Sequence, residues 1–484
     1  MKVCVVGGGI IGSSIAFHLC KNSWINVVHI FPSRAPGVGT MAAGAMLNSI
    51  AEIDTRSLST SASRAYFEHS LTATTAWPNF VTELSSESPK NVCGDFSSAL
   101  NKKGDVPFET GTHVINNTVA DELDTANFEA IKATCKEYNI DSVMTQPAEI
   151  HGYNPEPRAR ATESLLIRGE GWINPHCVLG ALDAVLKTRQ NYSRIDDSAK
   201  LVRFQSGLAR SVVTNGGKET NADRIVLANG AFLNDLVANS RASEIIPHYI
   251  FSGVGAAIEV ATSDLEIDSC IRTPNRGGAC GLYVVPYSVD DAKRQRHYMI
   301  GASNYVAMAP QYRARAISVA HLLHSAKKEI NQEFYSAEVV GIKVGNRPIT
   351  FDQYPIVGRT FSENLFVVSG TRRDGFHLAP VLSSYIADLI SSDKENEAFD
   401  FLSPVRKPIT EISVETGVDL NVANLISEAF QHGYEPATIR GYQQFQSSIR
   451  SEVEETHERF CNSEYGIPVL MYKLARNGEI NAPV

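Results

Sequence analysis

The sequence predicts an α/β protein: a Rossmann-like dinucleotide-binding domain, a second α+β domain on a mixed or antiparallel sheet, and a helical C-terminal extension. Three observations predict it. A β-branched run at residues 3–6 meets glycines and passes into small and apolar residues at helical spacing, the pattern of a buried parallel strand, a tight turn and a helix. A second strand-like run ending in a glycine turn recurs at 222–231. With 484 residues, the chain exceeds the size at which one core usually suffices, so two domains are expected.

In the opening stretch, Gly7, Gly9 and Gly12 fit the pattern G-x-G-x-x-G. Gly7 lets the chain turn, Gly9 lets a pyrophosphate approach the backbone, and Gly12 lets the helix pack close on the strand. The first helical amides, at Ile10 and Ile11, then face the phosphates. The pattern is weak alone and strong between a strand and a helix; its alternative is a glycine turn without a ligand. Residues 25–31 read as the second parallel strand. An acidic side chain normally follows such a strand to accept hydrogen bonds from the adenosine ribose. Here the place falls on Pro32, followed by Ser33 and Arg34. Ser33 supplies part of the lost hydrogen bonding, and Arg34 either favours a phosphate or is a solvated surface charge. Residues 39–47, with Thr40, Ala43, Gly44, Ala45 and Met46, are small and uncharged. Such a run either lines a flat or anionic ligand closely or begins a tightly packed helix.

Composition excludes several classes. Hydrophobic residues make up 43% and charged residues 20%, as in an ordinary globular protein. The net charge of -9 argues against a broad nucleic-acid surface. No apolar run is long enough to cross a bilayer, and no signal peptide precedes the first strand, so a cytoplasmic protein is expected. The eight cysteines are scattered without a C-x-x-C pair and read as reduced thiols, and no metal site is expected.

Further elements follow in order. The spacing predicts a long helix over 60–85, a loop or insertion over 85–105, a strand over 108–115 and a helix over 122–138. A helix over 178–186 follows the segment 169–176. Strands over 281–286 and 298–304 flank the charged run 290–296, which reads as a hairpin loop. Beyond residue 403, helical patterns cross 421–431 and 443–460. An amphipathic face there would cap the first domain, form a homo-oligomer or bind a partner.

Arg347 lies in an apolar, Pro-bounded stretch where an unpaired guanidinium is costly, and Arg373 precedes a glycine and an apolar helix start. Two such arginines converging on one pocket hold a carboxylate in bidentate fashion. The alternative is a structural ion pair for each, with a carboxylate such as Asp352 or Asp374.

The glycine turn at 7–12 with the run 42–47, the stretch 222–231 close to A-D-x-V-V-x-A-x-G-A, and two C-terminal stretches resemble the D-amino-acid oxidase and glycine oxidase family of FAD-dependent amine oxidoreductases. The C-terminal stretches read G-x-R-P and D-x-x-P-x-x-G over 345–358, then N-L-x-x-x-x-G and R-x-G-x-x-L-A-P over 364–380. The resemblance covers residues 1–402. It implies FAD, held non-covalently because no cysteine lies near 340–380, with the 42–47 run beside the diphosphate and isoalloxazine. It places Leu201 near the adenine, Ala228 and Gly230 in a second FAD motif, and Gly370, Arg372, Arg373, Asp374, Gly375, Phe376, His377 and Leu378 around the flavin. Tyr283 and Asn304 fall on the substrate side, although a strand tyrosine is as often core. Arg347 and Arg373 bind the substrate carboxylate, and His377 is a flavin neighbour, since the family needs no obligatory acid–base residue.

The implied FAD domain comprises 1–85, 160–240 and 336–402, the substrate domain 86–159 and 241–335, and the extension 403–484. The implied reaction is oxidative deamination of an amino acid or N-substituted glycine, by hydride transfer from Cα to flavin N5. It gives an imine and then a 2-oxo acid, with electrons passing to O2 or another acceptor. Alternatives are the same chemistry on an amino-acid unit attached to a larger molecule, and a non-catalytic FAD-binding interaction protein.

Overall fold

The computed structural model describes residues 1–44, 46–88, 109–277, 280–290, 295–461 and 464–482. The central strand Lys2–Val6 alternates its side chains between two cores, as a parallel strand covered on both faces must. Val3 and Val5 pack among the helices Ile10–Cys20, Ser61–Glu87, Pro175–Thr188 and Ala379–Ser392. Cys4 and Val6 face a small antiparallel sheet (Ala199–Gln205, Leu208–Thr214, Glu219–Asn221) and the helix Leu233–Ser240. Lys2–Val6 lies between Arg224–Leu227 and Asn26–Ile30, all three parallel, with Tyr192–Ile195 parallel at one edge. On the other side come Leu365–Ser369 and, antiparallel to it, Ile356–Arg359. The sharp turn after the first strand depends on glycine twice: Gly7 has φ +116°, and a Cβ on Gly12 would lie 1.9 Å from the Gly7 carbonyl oxygen.

The second sheet is ten-stranded and mixed. Two of its three twelve-residue strands, Phe251–Thr262 and Glu338–Ile349, run antiparallel to each other. Tyr283–Asp290 pairs with Gln295–Gly301, while residues 291–294 of the expected hairpin lie outside the described residues. The loop expected over 85–105 falls there too, apart from residues 85–88, and so does Ala45; residues 85–87 end the long helix.

Two expected domain borders shift. The strand Ala161–Trp172 pairs with Glu109–Asn117, and Glu338–Ile349 pairs with Phe251–Thr262, so both belong to the second sheet. The chain therefore returns to the first domain after 172 and after 349, not at 160 and 336. A single long strand carries the chain across each border, leaving no turn signal at the expected places. The run 39–47 forms a single turn at Thr40–Ala42 and a two-residue strand at Met46–Leu47, not a helix.

The extension folds as helices Val414–Gln431, Ile439–Cys461 and Tyr472–Arg476. They form a core of their own with Phe251, Ile349 and Phe351, at the end of the long strand pair. The buried ion pair of Arg406 and Asp352 fixes the entry to the extension, helped by the Ile409 amide donating to Asp352 Oδ2 at 2.8 Å.

Candidate active site

A cavity of about 1310 Å³ runs from the glycine turn to the second sheet. At the glycine turn, Gly9 caps the first helix without a side-chain bond, and the Ile10 amide donates to Thr40 Oγ1 at 3.1 Å. The wall here includes Gly7, Gly9, Ile10 and Ile11, with Thr40, Ala43, Gly44 and Met46 further along. Gly44 must be small because the ring of Tyr283 lies against it; a Cβ there would sit 2.6 Å from that ring. Tyr283 is buried and faces this cavity.

Pro32, Ser33 and Arg34, after the second strand, also line the wall. Asp196, which is not in the lining, accepts from the Ser33 amide at 2.6 Å and from its hydroxyl. Arg194 donates to Ser33 Oγ at 2.7 Å and stacks over Phe31. Leu201 is not in the lining; Ser198, Ala199 and Lys200, just before it, take that place.

Of the residues expected around a flavin, Ala228, Gly230, Arg372, Arg373, Asp374, Gly375, Phe376 and His377 line the cavity. Gly12, Gly370 and Leu378 instead serve packing: Gly370 turns at φ +72° against Thr350, and Leu378 is buried at the start of the last family helix. His377 Nε2 lies 2.9 Å from the Ser70 carbonyl, so it carries the proton and donates. Burial lowers the His377 pKa, leaving a neutral ring fixed in one tautomer. Five buried polar atoms in the lining have no hydrogen-bond or ion-pair partner among the described residues: Asn48 Nδ2, Arg194 Nε, Asn229 Oδ1, Arg373 Nε and His377 Nδ1. A polar cofactor spanning this length fits such a wall.

A smaller chamber of about 90 Å³ adjoins it and shares Cys280, Arg347, Arg372 and Arg373. Arg347 Nη1 donates to the Ser303 carbonyl at 3.2 Å and to Asn304 Oδ1 at 3.1 Å. Both acceptors are neutral, and no carboxylate pairs with Arg347 among the described residues. Arg372, held at φ +48°, donates to Gln353 Oε1 at 3.1 Å and has no carboxylate partner among them either. Arg373 differs: its Nη2 lies 2.8 Å from Glu52 Oε2. Glu52 also binds the fully buried Arg272. Burial opposes charge on Glu52, but the guanidiniums of Arg272 and Arg373 outweigh it and hold its pKa below the ordinary value. The alternative of a structural ion pair thus holds for Arg373, through Glu52, and not for Arg347; Asp352 takes Arg406 instead, and Asp374 accepts from the Tyr66 hydroxyl at 2.7 Å.

Sequence reasoning missed Glu52, whose signal was an acid inside the apolar run Ile50-Ala51-Glu52-Ile53. It also missed Cys280, which lines both spaces although it is distant along the chain from 340–380. Separation in sequence, the ground for expecting a non-covalent flavin, is therefore not separation in space.

Residues 2–389 match the model of the DAO family, described as FAD dependent oxidoreductase. The chain belongs to that family. It is an FAD-dependent oxidoreductase acting on amines or amino acids, with FAD as cofactor and an electron acceptor as second substrate. Glycine oxidase of Geobacillus kaustophilus (strain HTA426) is 24% identical over 428 residues, spanning 85% of this chain and 98% of the relative. Among solved structures, iminodiacetate oxidase from Chelativorans sp. BNC1 superposes with TM-score 0.66 at 17% identity, covering 83% of this chain and 98% of that one. Glycine oxidase from Geobacillus kaustophilus superposes with TM-score 0.66 at 20% identity, covering 84% and 99%. No helix among the described residues is long and apolar enough to cross a membrane.

Proposed function

We propose that this enzyme oxidises a small free amino acid or N-substituted glycine, with the substrate carboxylate on Arg347 beside the flavin. One observation carries the reading: a guanidinium without a carboxylate partner among the described residues lines a small chamber that adjoins the cofactor cavity. Arginine stays charged at any ordinary pH, and an uncompensated, half-buried charge is costly until an anion arrives. Arg372 adds a second guanidinium without a carboxylate ion pair among the described residues to the same chamber, and Arg373 contributes through a cluster in which two arginines share Glu52. Asn304 positions Arg347 by accepting from it.

FAD supplies the acceptor for the two electrons lost as hydride from the substrate Cα–H. The chain's residues hold the carboxylate, orient Cα and exclude water; the substrate nitrogen gives up a proton, leaving an imine that water hydrolyses to a 2-oxo acid and an amine. His377 donates its Nε2–H to Ser70, and burial disfavours its protonated form, so its ring is held in the lining as a neutral group. The dimensions favour a free substrate over one attached to a larger molecule. At about 10–15 Å³ of such space per water, a 90 Å³ chamber holds the equivalent of about six to nine waters.

Arg347→Ala tests the reading. Loss of charge-assisted bonds worth about 1.5–3 kcal/mol each should raise KM about 10²-fold while the flavin stays bound. Equal loss of flavin and of substrate affinity would make Arg347 a structural residue.

A further inference from the structure

The C-terminal extension lies outside the family match, which ends at residue 389, yet it reaches the substrate chamber. Leu420 and Asn424 on the helix Val414–Gln431, and Val469 and Leu470 in the turn Val469–Met471, line the chamber together with Arg347, Arg372 and Arg373. We propose that the extension is the chamber's specificity wall, and that it limits the substrate to a short, uncharged side chain. This rests on the proposed seating of the carboxylate on Arg347.

The wall is held firmly. Leu470 is only half-buried, but its neighbour Met471 is fully buried in the extension's core, and Tyr472 follows at 1% exposure. The same core includes Phe251 and Ile349, at the end of the strand pair that carries Arg347. The helix bearing Leu420 and Asn424 presses on the backbone beside the chamber: a Cβ on Gly277 would lie 2.4 Å from the Asn424 carbonyl oxygen. Ser427 Oγ accepts from the Gly277 amide at 3.1 Å, which fixes that contact. The family core contributes every charged group of the lining, the guanidiniums and the Asp54 carboxylate paired with Arg56; the extension contributes only leucine, valine and a neutral amide. A carboxylate goes to the guanidiniums, which leaves the apolar wall for the other end of the molecule.

The test uses the flavin-loaded, full-length enzyme and straight-chain monocarboxylates from acetate to hexanoate, read by perturbation of the flavin spectrum without turnover. In the unsubstituted enzyme, affinity should rise about four-fold per methylene buried, then fall once the chain meets the wall. Leu470→Ala should move that break to a chain about two carbons longer, and Leu470→Phe should move it shorter. Val469→Ala provides an independent enlargement should Leu470→Ala fail to fold. Opposite shifts from the enlarging and filling variants are what a wall requires, since general loosening would weaken every ligand alike. The same break in all variants would show that the extension only packs outside the chamber and would overturn the proposal with Arg347 still seating the carboxylate. No spectral response to any carboxylate in the unsubstituted enzyme would instead overturn the carboxylate reading, and the wall with it.

Discussion

Gly255 offers a way to move Arg347 without touching its charge. The strand Phe251–Thr262 presents Gly255 opposite Gly345, two positions from Arg347 along the partner strand. The Arg347 guanidinium lies over the space a side chain would fill: a Cβ on Gly255 would sit 2.3 Å from Nη2 and 2.4 Å from Cζ and Nη1. Non-bonded contacts need about 3.5–4.0 Å, so Gly255→Ala forces the guanidinium aside by roughly 1.2–1.7 Å. A misplacement of about 1 Å in a positioning group costs on the order of 10²-fold in rate. Gly255→Ala should therefore weaken carboxylate binding and lower kcat/KM by about 10²-fold, with flavin content and melting temperature near those of the unsubstituted protein. The assay pairs a flavin-perturbation titration against acetate with steady-state kinetics. Acetate affinity within about two-fold of normal, in a folded and flavin-loaded variant, would refute the placement of the carboxylate on Arg347.

Two further outcomes follow from charge and burial. Glu52→Gln leaves the fully buried Arg272 and the adjacent Arg373 without their shared counter-ion, and should lower stability by about 3–5 kcal/mol in chemical denaturation. A loss below about 1 kcal/mol would mean the cluster is solvated rather than buried. His377, its pKa lowered by burial, is neutral above its ordinary value of 6.5 and gains a proton only below it. The pH profile of kcat/KM should accordingly show no histidine limb between about pH 6.5 and 9; a limb there that His377→Gln abolishes would contradict the neutral, Ser70-bonded ring.

Much of this fold was legible because its constraints are local. The first strand, turn and helix follow from Gly7 and Gly12, where backbone crowding leaves no alternative residue. Arg347 was conspicuous as a charge in an apolar stretch, and the structure brings it together with Arg373 on one chamber. The partners were not legible, because they are remote in sequence: Glu52 meets Arg272 across 220 residues, and Asp196 reaches Ser33 across 163. The extension shows the same divide. Its helical periodicity was readable in the sequence, with the helices found at Val414–Gln431 and Ile439–Cys461. The surface it covers depends on Phe251, Ile349 and Phe351, which no pattern within the extension encodes.

The central claim is that a small amino acid reduces the flavin of this protein directly. The most direct measurement is the absorption spectrum of the purified, FAD-loaded protein under anaerobic conditions, before and after addition of glycine, sarcosine and a panel of D-amino acids. Bleaching of the yellow oxidised flavin by at least one of these, with the carboxylate-free amine inactive, is the predicted result. A flavin that binds normally and that none of them bleaches would contradict the account.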